Sequence, residues 1–154
     1  MTFDEFTMKF YDNDLQYMNN TVDTSIEGMV VLKQIKEQVP DGYTGFINSF
    51  VIFKTSLYSW IDTQELFDAN IKQLQLKLFR YTSLSNEKQN LECDDIQYSW
   101  YMATFSYQVD KDIIFWGQYM FMDNENAYLI SLSSETDDDI KQFVKSIKTL
   151  ACVK

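Results

Sequence analysis

The sequence predicts an α+β domain: an antiparallel sheet of about six strands flanked by helices, stacked as an α/β/α sandwich. Three observations carry this. Residues 96–133 hold aromatic, alternating segments separated by short polar turns, and turns that short join antiparallel neighbours. Segments beginning at Asp62 and after Thr136 repeat apolar residues at helical spacing. Strands of the aromatic meander carry apolar groups on both faces, which calls for cover on both sides of the sheet.

Taken in order, Phe6, Met8 and Phe10 alternate with Thr7, Lys9 and Tyr11, the pattern of a half-buried strand. Residues 12–28 are rich in Asn, Asp and Thr and read as a loop with room for a short helical turn near Leu15 to Met18; residues 29–35 form a second strand. In Gln38-Val39-Pro40-Asp41-Gly42, Pro fixes one φ and Gly accepts a positive one, so the chain turns. Residues 45–57 make a third strand, with Ile47, Val51, Phe53 and Leu57 sharing a face. Asp62 and Glu65 form a helix-cap signature. Phe67, Ile71, Leu74 and Leu78 give the helix its buried stripe, ending near Phe79 or Arg80. Residues 81–95 are polar and read as a short strand or a loop.

Residues 96–109 are a long strand with Tyr101, Ala103, Phe105, Tyr107 and Val109 on one face. Asp110-Lys111-Asp112 turns it into a central strand over 113–122; residues 123–126 turn again into a last strand over 127–133. Thr136 caps the final helix, whose stripe is Ile140, Phe143, Val144, Ile147 and Leu150. Its acids stand at the start and its lysines later, as the helix dipole favours. No repeat or linker interrupts the chain, so residues 1–154 form a single domain.

Composition excludes more than it assigns. With 154 residues the chain can bury a real core, and an aromatic content of 16% suits filled sheet faces. The net charge is -10, from 13 basic and 23 acidic residues, so nucleic acid and anionic membrane surfaces are poor partners. There is no His, which removes the commonest general base and any Ser-His-Asp or Cys-His site. The 4 glycines are scattered and form no phosphate loop. Cys93 and Cys152 fit no metal-ligand spacing; a disulfide in an oxidising compartment and two free thiols both remain open. No catalytic residue, cofactor or metal site is expected, and the protein reads as no enzyme. No apolar run is long enough to span a bilayer, and Met1-Thr2-Phe3-Asp4-Glu5 is acidic where a signal peptide is basic. The chain is therefore read as an extracytoplasmic domain without its export signal, or as cytoplasmic.

The candidate interaction surface is Tyr58, Trp60, Trp100 and Trp116, because exposed Trp and Tyr anchor interfaces. Tyr58 and Trp60 flank the first helix, where Trp60 can equally staple that helix to the core. Trp100 is placed with Tyr98 and Met102, and Trp116 with Ile114, Met120 and Met122 on the same side. Left uncovered, this becomes an aromatic-methionine binding patch; under a helix, it is core. Asp137-Asp138-Asp139 offers oxygen ligands for a cation but reads better as a helix start. Glu92, Asp94 and Asp95 read as a solvated loop, and Ser131, Ser133 and Ser134 as strand-end and cap residues.

Gly117-Gln118-Tyr119, Ala127-Tyr128-Leu129-Ile130-Ser131-Leu132-Ser133 and Ile140-Lys141-Gln142-Phe143-Val144-Lys145-Ser146-Ile147 stand in this order after the strands and helix already described. With that order of elements, the chain resembles the PsbP/Mog-like superfamily, which includes bacterial envelope lipoproteins of the DcrB and LpqN kind. The resemblance implies an antiparallel sheet between helices and an accessory or binding role, with no shared catalytic set to transfer. The resulting expectation is a non-enzymatic binding or accessory module of the bacterial cell envelope, with an unidentified protein partner and a possible membrane tether outside this chain. The alternative is a small-molecule or lipid carrier with an apolar pocket between sheet and helix. Oligomeric state stays open.

Overall fold

Alternation in residues 96–122 folds into one long hairpin, because Val109 pairs with Asp112 across a two-residue turn. Asp110 takes the positive φ of 52° that such a turn needs. The computed structural model describes residues 2–3, 6–9, 17–20, 25–26, 29–37, 39–56, 62–93, 96–122 and 125–152. The elements run β1 (Thr2–Phe3), β2 (Phe6–Thr7), β3 (Tyr17–Asn20), β4 (Ser25–Ile26), β5 (Met29–Glu37), β6 (Ser49–Ser56) and α1 (Thr63–Lys77). They continue with β7 (Thr82–Cys93), β8 (Ile96–Val109), β9 (Asp112–Met122), β10 (Asn126–Ser134), α2 (Asp137–Ile147) and β11 (Ala151–Cys152).

The main sheet has the order β3-β5-β6-β10-β9-β8-β7, with β4 also paired to β5. Every pairing in it is antiparallel. A small second sheet, β1-β2-β11, joins the two ends of the chain. Thr149 reinforces that junction: its Oγ1 accepts from the Lys9 N–H at 2.8 Å.

The two helices cover opposite faces, which makes three layers. Under α2, Met102, Tyr119, Phe121, Phe50 and Ile130 pack with Ile140, Phe143 and Ile147. Phe6 closes that core from the small sheet, with Phe121 at 4.8 Å and Tyr128 at 5.3 Å between ring centres. Under α1, Tyr101, Ala103, Phe105 and Met120 pack with Phe67 and Ile71. The Asp62 carboxylate caps α1, accepting from the Gln64 N–H at 2.7 Å and the Glu65 N–H at 3.3 Å.

Several local expectations change. Residues 12–28, expected as a loop, contribute β3 and β4, and the polar stretch 81–95 contains the 12-residue strand β7. Edge strands need few apolar residues, so their periodicity is faint. On β6, Val51 and Phe53 share a face as expected, and the opposite face holds the fully buried pair Phe50 and Ile52, because Phe50 pairs with Leu132 and Ile52 with Ile130 on the α2 side. Leu57 lies outside the described residues. Cys152 is disulfide-bonded, which decides between the two states the sequence left open for it. The strand that carries it, β11, lies against β7.

Candidate functional site: an apolar groove beside α1

Helix α1 packs on β8 and β9 and leaves the same face of β10 and β6 beside it. The step between helix and sheet is a cavity of about 250 Å³. Its floor is set by register. Leu129 pairs with Met120 on one side and Phe53 on the other, so the three form one row across the sheet. The adjoining row contains Ala127 and Thr55, again paired. Leu66, Ala69, Asn70 and Gln73 of α1 form the wall. These four lie at positions i, i+3, i+4 and i+7, the helix flank turned toward β10. The groove is thus apolar below, with Asn70, Gln73 and Thr55 supplying neutral hydrogen-bonding groups. Among the described residues that line it, none carries a titratable side chain.

Further along the same face of the sheet, beyond the residues that line the groove, the rows become polar. Ser131 pairs with Gln118 and with Val51; Ser133 pairs with Trp116 and with Ser49. The Ser49 and Ser133 hydroxyls are 3.0 Å apart and bonded to each other. Gln118 is only 2% exposed, and its Nε2 has no hydrogen-bond partner. The Trp116 Nε1 one row further is likewise buried and unpartnered. These are the two such side-chain atoms among the described residues.

The four aromatic candidates do not assemble into one surface. Tyr58 and Trp60 lie outside the described residues. Trp100 is 5% exposed and packs on Tyr119 at 5.0 Å, inside the core under α2. Trp116 is on the opposite face, stacked on Phe105 at 5.7 Å. The two-residue turn exchanges odd and even between β8 and β9: Trp100 pairs with Phe121, and Phe105 with Trp116. Ile114, Met120 and Met122 therefore share a face with Trp116 and not with Trp100.

Asp137 and Asp138 hold Lys141 at 2.9 and 3.0 Å. Both carboxylates raise the Lys141 pKa, Asp137 first. Asp139 is buried and accepts from the Ser134 hydroxyl, which itself accepts from the Thr136 N–H at 3.1 Å. The acidic run is therefore a helix start tied into the loop before it. Among the described residues no group of three or more His, Cys, Asp or Glu could hold a metal. Asp94 and Asp95 lie outside the described residues, as does the side chain of Glu92. A second hollow, about 300 Å³, lies between β7 and α2, with Asp137 and Lys141 at its rim and Leu84, Thr104 and Val144 beneath.

No family profile and no curated protein matches the sequence. Solved structures do match in shape. LpqN of Mycobacterium tuberculosis, described as involved in cell envelope biogenesis, superposes with a TM-score of 0.55 at 9% identity, over 97% of this chain and 91% of its own. Protein PA94 of Pseudomonas aeruginosa, of unknown function, gives 0.54 at 10% identity, over 94% and 92%. At such identity the likeness is one of fold.

Proposed function

We propose that the protein is a non-enzymatic binding module of the bacterial cell envelope that holds an apolar small molecule or lipid segment beside α1. The observation that carries this reading is the groove: an apolar row of Met120, Leu129 and Phe53, walled by one helix and open along the other side. Pockets of this kind, between a helix and a sheet, with few convergent polar groups, take apolar ligands. The envelope assignment draws on the LpqN-like fold, on the element order shared with PsbP/Mog-like proteins, and on a disulfide-bonded Cys152, which suits an oxidising compartment.

Native mass spectrometry of gently purified protein tests the reading. An apolar molecule should accompany the folded chain and be lost from Leu129→Glu, which plants a charge on the groove floor. A protein that carries nothing, and takes up nothing from a lipid extract, overturns it.

A protein-partner reading has its own observation. Leu76, Phe79, Val109 and Ile113 are exposed near one end of the molecule, where the Gln108 N–H donates to the Phe79 carbonyl at 2.9 Å. Crosslinking to a defined partner, lost in Phe79→Asp, would favour it.

A further inference from the structure

We propose that Cys93 and Cys152 form a disulfide that works as a redox-controlled latch. Reduced by a dithiol, it frees the small sheet β1-β2-β11 and uncovers an aromatic surface of Tyr98, Phe121 and Tyr128 beneath Phe6. That surface belongs to the core under α2, on the face of the main sheet opposite the groove. The inference is therefore independent of what the groove holds.

Counting identifies the partner. The chain has 2 cysteines and Cys152 is disulfide-bonded, so within one chain Cys93 is the other end. Topology agrees. Cys93 is the last residue of β7, and β11, which carries Cys152, lies against β7. The loop so closed contains β8, β9, β10 and α2. The bond therefore fastens the main sheet to the small sheet, where the two ends of the chain meet.

The small sheet is the part that such a bond has most to hold. Its strands are two residues long, and β2 meets β11 through the pairs Thr7 with Ala151 and Phe6 with Cys152. Within the main sheet, by contrast, β8 and β9 pair continuously from Trp100 to Val109. Ladders as short as β2-β11 are marginal alone, which puts the small sheet at the low-stability end of the structure. Phe6, the residue paired with Cys152, covers three other rings edge to face. Its centre is 6.1 Å from Tyr98, 4.8 Å from Phe121 and 5.3 Å from Tyr128. All four rings are buried. Thr149, just before β11, accepts from the Lys9 N–H and so ties the same two ends. When β11 departs, the ladder behind Phe6 and that tie go with it, and the three rings lose their cover.

The bond is reachable from its Cys152 end, which is half-buried rather than enclosed. Exposed disulfides are the labile ones. One thiolate of a dithiol attacks Cys152 Sγ; the Cys93 thiolate leaves and takes a proton. The second sulfur of the dithiol then attacks the mixed disulfide, and Cys152 departs as a thiolate that is protonated in turn. Two electrons and two protons pass to the protein, and the dithiol ends as a disulfide. An oxidising compartment keeps the latch shut.

Peptide mapping of the unreduced full chain, and hydrogen exchange with and without dithiothreitol, test this. Mapping should join the peptides of Cys93 and Cys152; two alkylatable thiols in the denatured, unreduced chain overturn the proposal. In the oxidised protein residues 6–9 and 151–152 should be protected about a hundredfold or more. After reduction they should exchange within about tenfold of an unstructured peptide, while β8 and β9 stay protected about a thousandfold or more. Fluorescence of added anilinonaphthalene sulfonate should rise as the ends open, and the near-ultraviolet dichroism of Trp100 and Trp116 should persist. Cys152→Ser should show the open pattern without dithiothreitol. If the ends stay protected after reduction, the bond is no latch. If β8 and β9 lose protection too, and the dichroism vanishes, the bond is a staple for the whole fold and the proposal is equally overturned.

Discussion

Gly117 shows how one residue lets a helix seat on the sheet. A Cβ built there would collide with the Phe143 ring of α2, with Cε1 only 2.7 Å away. Phe143 is fully buried and cannot swing into solvent without opening the core. Gly117→Ala should therefore destabilise by roughly 1–3 kcal/mol, read from the midpoint of denaturant unfolding. Tyr119, two residues on, makes a pH prediction. Burial raises its pKa well above the ordinary tyrosine value. Its phenol thus keeps its proton in the folded state at pH values where the unfolded chain has lost it. Stability from this group is intact below about pH 10 and falls as pH rises above that value. Phenolate absorbance should appear for Tyr119 only as the protein unfolds, so Tyr119→Phe should flatten the alkaline decline. Gln118 itself was visible in the sequence as an amide inside an apolar central strand. What the letters did not give was its neighbourhood, because the partners of β9 are fixed by pairing and not by spacing.

At the scale of elements, the ends of the helices were the most readable feature. Asp62 and Thr136 are caps in the structure as the sequence proposed, since a side-chain oxygen reaching the next N–H groups is a local event. Asp62→Ala should cost about 1 kcal/mol, seen as a lower melting temperature with unchanged fold by circular dichroism. The stripe Phe67, Ile71, Leu74 and Leu78 was equally local, and it packs against β8 and β9 as its period demands. Polar strands were not readable. In β7 the letters Thr-Ser-Leu-Ser-Asn-Glu-Lys-Gln give no alternation, because among the described residues the strand stands at the sheet edge and is paired with β8 alone. The placement of Trp116 failed for another reason. Its face depends on how many residues the turn contains, and one residue more or fewer reverses every side chain that follows.

For the molecule as a whole, the α+β class and the three layers followed from helical stripes and two-sided apolar strands. Strand order did not follow from them. The neighbour of β10 is β6, and no local pattern announces a pairing made across α1, β7, β8 and β9. The ends of the chain meet in the small sheet β1-β2-β11, where Cys152 is cross-linked and Phe6 enters the aromatic core. Cys152→Ser should lower stability by roughly 2–5 kcal/mol, and a reducing agent should shift the melting temperature of the wild-type chain but not of the variant.

The β6–β10 contact has a kinetic meaning. On one side of it stand strands drawn from the first third of the chain; on the other, a meander that can assemble by short hairpins alone. Those two halves zip locally and quickly, whereas their mutual joint requires closing a long loop and should form late. Phe53 and Leu129 face each other across this joint, so an occupant of the groove spans it like a splint. Contacts made after the transition state retard opening more than they hasten closure. A bound guest should therefore lengthen the lifetime of the native state while leaving the refolding rate nearly untouched.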